Sequence, residues 1–336
     1  MNTAKVNFFI PFFLFLLLTG CKEEPKPSVD KLPQTGNPVI DQLSKKISQT
    51  PNDKTLFFER AKVYYDNIQY AEAIQDLKKV LSLDSLDIGA LHLLSDAYMD
   101  HLESKKALLT MEHAAKLYPK RIPTLLKLSE VYYILMKYDD SMRIIDQILR
   151  IDPQNAEAYF MFGQNFKDLG DSIRAINSYQ KAVDFDPDLI DGWINLGQQY
   201  AKINPKIAEK YFKTATEIDP GNVLAIHAMA DFLRNQNRLN EAIALYKKTV
   251  VIDPQYEEGS YNAGLLYLEL DSIPQAIKMF DICIEIAPIF IPAYFYRGYA
   301  YELLGDKKRA KSNYEQALNM APDYKEAKEG LARVVQ

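Results

Sequence analysis

Four histidines, two cysteines and scattered acidic pairs are the side chains of this 336-residue chain that could carry chemistry. The histidines are His92, His101, His113 and His227, and none belongs to a metal-ligating spacing such as His-Glu-x-x-His. Glu257-Glu258 is a pair of carboxylates, but at a helix start it serves the helix dipole as a solvated pair. Cys283 falls among apolar residues and reads as a small buried hydrophobe rather than a ligand or nucleophile. There is no phosphate-binding Gly-rich loop, no dinucleotide fingerprint and no Gly-x-Ser-x-Gly elbow. No enzyme and no cofactor are expected. The formal charge of −5 argues against nucleic acid held by bulk electrostatics.

The other cysteine, Cys21, sits in a different context. Lys5 lies in a polar start, and Phe8 to Leu18 is one apolar run. Eleven residues are too few for a permanent membrane span, which needs about 20. A basic start, a short apolar core and small residues after it form a secretory signal. The run closes Leu18-Thr19-Gly20-Cys21, which resembles the bacterial lipobox. That resemblance implies cleavage before Cys21, a diacylglycerol on its thiol and an acylated amine, palmitate being a typical chain. Several acyl chains give stable anchoring at about 0.8 kcal/mol per buried CH₂. Lys22-Glu23-Glu24 lacks the Asp that retains some lipoproteins in the inner membrane, so the implied address is the cell envelope, with the outer membrane foremost. Pro25, Pro27 and Pro33 with Gly36 make 21–37 read as a stalk.

Elements that could position a binding surface come from a repeat. Pro119, Pro153, Pro187, Pro220, Pro254, Pro288 and Pro322 recur every 33 or 34 residues, and the period runs back through Ser85 to Pro51. Asp precedes several of these prolines, where the chain is pushed out of the α region and a helix must stop. After Pro153 come Tyr159, Phe162-Gly163, Phe166, Ala175, Tyr179 and Ala182; after Pro288 come Tyr294, Gly298, Tyr301, Ala310, Tyr314 and Ala317. Three- and four-residue steps predict two amphipathic helices per unit. Gly170-Asp171 and Gly305-Asp306 mark the turns between them. The fifth unit lacks one residue near Asn204-Pro205.

This pattern resembles the tetratricopeptide repeat. The resemblance implies an all-α fold, a right-handed superhelical solenoid of about eight helix-turn-helix repeats with terminal capping helices. The expected divisions are a signal at 1–20, the lipidated cysteine and stalk at 21–37, an N-terminal helix at 38–51, eight repeats over 52–321 and a C-terminal capping helix at 322–336. Arg60 and Arg297 stand where the family has Leu, and their heads are expected to snorkel to water.

The family lines a concave groove with the first helix of each repeat, and its exposed positions lie four, seven, eight and eleven residues after each proline anchor. Seven of these are acidic here and only Lys62 and Lys127 are basic, so the groove lacks the lysines with which some relatives clamp a carboxylate. Asn195 and Asn262 share one position, where relatives hold a peptide backbone. Phe160, Gln164 and Gln198 sit beside them on the implied surface, and Tyr261, Phe295, Tyr296 and Tyr299 gather at one end as interface anchors. The implied function is a membrane-anchored scaffold that binds a protein or peptide segment in its groove. The alternative is an envelope adaptor serving outer-membrane protein assembly, pilus biogenesis, or recruitment of a protease or peptidoglycan hydrolase.

Overall fold

The computed structural model describes residues 35–335; the signal segment and Cys21 lie outside these. Among the described residues there are eighteen α-helices and no strands. They divide into two compact units, the first ending at Thr110 and the second beginning at Met111, so the division falls within the fifth helix.

The first unit opens with α1 (Pro38–Gln49), which Asn37 caps with its side-chain oxygen. It packs on α2 (Lys54–Asp66), which pairs with α3 (Tyr70–Leu83), and α4 (Ile88–Asp100) stacks on α3. Phe57, Ala61, Leu77, Val80, Ala90 and Ala97 form the core of this unit. Lys54 clasps Asp84 and Asp87 at 2.5 and 2.8 Å, joining the start of α2 to the loop ahead of α4. The fifth helix, α5, spans Ser104–Leu117.

The second unit continues with six pairs: α6 (Ile122–Ile134) and α7 (Tyr138–Ile151), α8 (Ala156–Asp168) and α9 (Ser172–Phe185), α10 (Ile190–Tyr200) and α11 (Pro205–Ile218), α12 (Val223–Asn235) and α13 (Leu239–Ile252), α14 (Glu257–Glu269) and α15 (Ile273–Ile286), α16 (Ile291–Leu303) and α17 (Lys307–Met320). A last helix, α18 (Lys325–Val335), packs on α17 and α16 and buries Ala327, Gly330 and Val334. The residue before each repeat proline leaves the helix as expected: Asp152, Asp186, Asp219 and Asp253 cap their helices at extended φ between −134° and −123°.

Within a pair, the small residues set the approach. A Cβ placed on Gly163 would stand within 2.8 Å of three ring carbons of Tyr179, so only glycine lets α8 lie this close to α9. The partner alanines Ala175 and Ala182 are fully buried. Cys283 is fully buried too, and burial pushes its thiol up to about 11, which keeps it unreactive near neutral pH.

The turn between paired helices uses one left-handed residue, seventeen after the anchor. Glycine fills it at Gly170 and Gly305, but Ile68, Leu102, Met136, Asn237 and Asp271 adopt the same positive φ. Ile68 is the most strained, since its branched Cβ crowds the following carbonyl, and it stands 74% exposed. Ile68→Asn is therefore expected to stabilise the first unit by about 1 kcal/mol, because Asn tolerates this conformation. Denaturant unfolding checks this; an unchanged or lowered midpoint contradicts it.

The arginines at the Leu position do not snorkel. The guanidinium of Arg60 donates from Nε and Nη2 to the two carboxylate oxygens of Asp76 at 2.7 Å each, and from Nη1 to Ser44 at 2.8 Å. Arg297 donates to Asn313 Oδ1 at 2.7 Å and to Asp281 at 2.6 Å. In both repeats the partner stands sixteen residues on, at a position that elsewhere holds Ile144, Leu245 or Met279. A partner within reach makes the inward pose favourable where water would otherwise win.

Candidate protein-binding face

In the second unit the first helix of each pair carries the surface that the repeat spacing singles out. Pro123, Leu126, Lys127 and Glu130 on α6 and Glu157, Phe160, Met161 and Gln164 on α8 line one cleft of about 430 Å³. These eight residues fall four, seven, eight and eleven residues after Pro119 and Pro153. Apolar side chains (Leu126, Phe160, Met161) alternate with polar ones, as a groove for an extended chain requires. Phe160 is held from behind by Tyr179, ring centroids 5.6 Å apart. The Tyr179 hydroxyl is buried without a hydrogen-bond partner among the described residues, and burial pushes its pKa well up.

A larger cleft, about 630 Å³, lies between α10 and α12, with Gln198, Lys202, Phe212, Asp231, Phe232 and Gln236 in its wall. Its cause is legible in the sequence. The missing residue of the fifth repeat ends α10 at Tyr200, two residues short of its thirteen-residue counterparts, and the opening lies at that end.

Asp231 is the hub of a polar network that sequence reasoning missed. It accepts from the buried Tyr246 hydroxyl at 2.5 Å, and it lies 3.2 Å from Arg234 and 3.5 Å from His227 Nε2. His227 Nδ1 meets the Tyr256 hydroxyl at 3.0 Å, and that hydroxyl donates to Glu258 at 2.7 Å. Burial with these carboxylates holds both tyrosines far above their usual range. A signal was present. Tyr256 and Phe290 occupy the N-cap position, two residues after the anchor, where earlier repeats have Asp53, Asp87, Asn155 and Asn222. Neither aromatic caps its helix. Each reaches instead to the face just described or to its aromatic end.

That end is a packed stack. Tyr261 lies 5.0 Å from Phe290 and 5.9 Å from Tyr296; Phe295 lies 4.9 Å from Tyr296 and 5.4 Å from Tyr324. Tyr261, Phe295 and Tyr296 are half-buried in it, and only Tyr299 stands out, 36% exposed. The Nδ2 group of Asn195 donates back to Asp191 O at 2.9 Å, so its amide is occupied by its own helix. Asn262 is half-buried on α14, beside Tyr261. The structure thus brings Phe160 and Gln164 into one cleft, puts Gln198 in a second, and joins Tyr261, Phe295 and Tyr296 by ring contacts.

Charge on this face is one-sided. Glu130, Glu157, Asp191, Asp231 and Glu258 stand against Lys127 alone among the spaced positions of the second unit. Among the described residues no cluster of three His, Cys, Asp or Glu could hold a metal, and no helix is long and apolar enough to cross a membrane.

Family models for the tetratricopeptide repeat match residues 156–189, 230–271 and 291–324. The chain is 22% identical over 269 residues to anaphase-promoting complex subunit CDC16 of Saccharomyces cerevisiae, covering 78% of this chain and 32% of that one. It is 25% identical over 185 residues to protein FlbA of Caulobacter vibrioides, covering 55% and 31%. The chain spans between about a quarter and a half of the length of the first curated relatives it matches. Among solved structures, the anaphase-promoting complex hetero-tetramer Cut9–Hcn1 aligns at a TM-score of 0.53 and 18% identity, over 88% of this chain and 58% of that one. PilF of Pseudomonas aeruginosa aligns at 0.53 and 15%, over 63% and 97%. The chain carries tetratricopeptide repeats and has their all-α solenoid fold.

Proposed function

We propose that this chain is a non-catalytic tetratricopeptide scaffold, held at the bacterial cell envelope by a lipid on Cys21, that binds an extended protein segment along the first helices of its repeats. One observation carries the binding part. Eight residues at positions the family resemblance implies line one cleft between α6 and α8, with Leu126, Phe160 and Met161 among polar side chains. The acidic excess of this face favours a neutral or basic segment and disfavours an anionic one. The anchoring part rests on Leu18-Thr19-Gly20-Cys21 after a short apolar run. On this reading the protein sits on a membrane surface, the outer membrane foremost, and a role as an assembly or recruitment adaptor there is the finer form of the same reading.

Crosslinking in intact cells followed by capture tests the binding part. Met161→Ala with Gln164→Ala is expected to lose the partner at least tenfold while leaving the helical signal unchanged; an unchanged partner set rejects this face. Tyr261 and Tyr296 are poor choices for the same test, because alanine there would hollow out a ring stack. For the anchor, fatty-acid labelling is expected to vanish in Cys21→Ser and the protein to leave the membrane fraction. A variant that is still labelled or still bound refutes the lipid.

A further inference from the structure

A cleft formed mainly by two second helices of the second unit is a site of another kind. Lys247, Val250 and Val251 on α13, Ser260 and Tyr267 on α14, and Gln275, Lys278, Met279 and Ile282 on α15 enclose a cleft of about 350 Å³. Its lining is mainly apolar and includes Val251, which is 81% exposed. The polar groups are two lysines, one from each flanking helix, with one glutamine, one tyrosine and one serine. No carboxylate lines it. The nearest acidic residue on α15, Asp281, is held by Arg297 at 2.6 Å and so does not neutralise Lys278. Neither lysine makes an ion pair among the described residues.

This is the reverse of the binding face. That face is acidic, and its clefts mix Lys127 with Glu130 and Glu157, or Lys202 with Asp231. In a chain of net charge −5, a mostly apolar cleft with two unpaired cations selects an anion on an apolar body. The geometry points to a binding site between α13 and α15 for a carboxylate-headed amphiphile, a fatty-acid chain lying along Val250, Val251, Met279 and Ile282 with its carboxylate between Lys247 and Lys278. The two ammonium groups hold the head, and burying the chain supplies most of the affinity. Binding here is independent of whether the other face holds a protein.

The test is calorimetric titration of the full chain carrying Cys21→Ser with dodecanoate and with dodecanol, both below micelle formation. Dodecanoate is expected to bind at one saturable site, about tenfold more tightly than dodecanol, since two partly exposed lysines together contribute about 1.4 kcal/mol. In Lys247→Gln/Lys278→Gln that advantage is expected to disappear, with dodecanol binding unaltered. Both lysines are exposed, so the fold is preserved, and circular dichroism checks that it is. Val251→Asp is expected to weaken both ligands. The assignment is overturned if dodecanoate does not saturate, if it binds no better than dodecanol, or if the glutamine variant keeps the difference. It is equally overturned if a short peptide ending in leucine outcompetes dodecanoate in a lysine-dependent way, which would make the site a reader of protein C-termini.

Discussion

Asp76→Ala is expected to destabilise the first unit by about 3 kcal/mol, one of the two largest single effects anticipated in this protein. Asp76 is 6% exposed and takes both of its hydrogen bonds from the Arg60 guanidinium, whose side chain is 17% exposed. Without the carboxylate a mostly buried guanidinium keeps one hydrogen bond, to Ser44, and the faces of the Phe57 and Tyr64 rings, and an uncompensated buried cation costs about 3–5 kcal/mol. The lower end applies because Arg60 has a route to water. The pair itself adds little. Desolvating both ions consumes most of their attraction, so Arg60→Leu/Asp76→Leu is expected to lie within about 1 kcal/mol of the parent. The chain supports that expectation, for Leu94, Leu128 and Leu196 occupy the Arg60 position of other repeats. Repeat arrays do not unfold as one cooperative unit, so hydrogen exchange resolved on α2 and α3 is the right measurement. Equal loss of protection in the single and double variants would refute this account of the pair.

The second large effect is Gly163→Val, expected to cost about 3 kcal/mol through forced overpacking. Tyr179 is fully buried against this glycine, with Ala175 and Leu196 in the same core, and can shift only by disturbing that packing. Phe212, Phe280 and Tyr314 press in the same way on Gly197, Gly264 and Gly298. Gly221→Ala is the control. Gly221 is exposed, and its added methyl would meet only Asp219 Oδ1 at 3.3 Å, so a change within about 0.5 kcal/mol is expected. Displacing Tyr179 also removes the support behind Phe160, so Gly163→Val should weaken partner binding beyond its effect on stability.

The helices were legible because the repeat restates its rules: proline closes seven of the eight units, and glycine fills the small-residue position in four of them. A proline that ends a helix, a glycine that admits a ring and an alanine between helices each carry a local physical cause, and recurrence separates cause from chance. The left-handed turn residue was legible only at Gly170 and Gly305, where the residue type announces the conformation. At Ile68 and Met136 the surrounding hairpin imposes it against local preference. Arg60 was misread for a related reason: a lone arginine at an apolar position looks like a snorkeller until its counterpart sixteen residues on is noticed. On the candidate face, the positions that the family resemblance implies coincide with the lining of the α6–α8 cleft. The resemblance could not identify the Asp231–Tyr246–His227 network or the stacking of Tyr261 and Tyr296, since these depend on contacts between repeats that no single repeat encodes.

A photo-crosslinking amino acid placed at Gln164, in the α6–α8 cleft, and separately at Lys181, exposed on α9, tests the central claim most directly in intact cells. Capture of one protein partner from Gln164 and not from Lys181 is the predicted result. No adduct from Gln164, or the same adduct from both positions, would contradict a binding groove on this face.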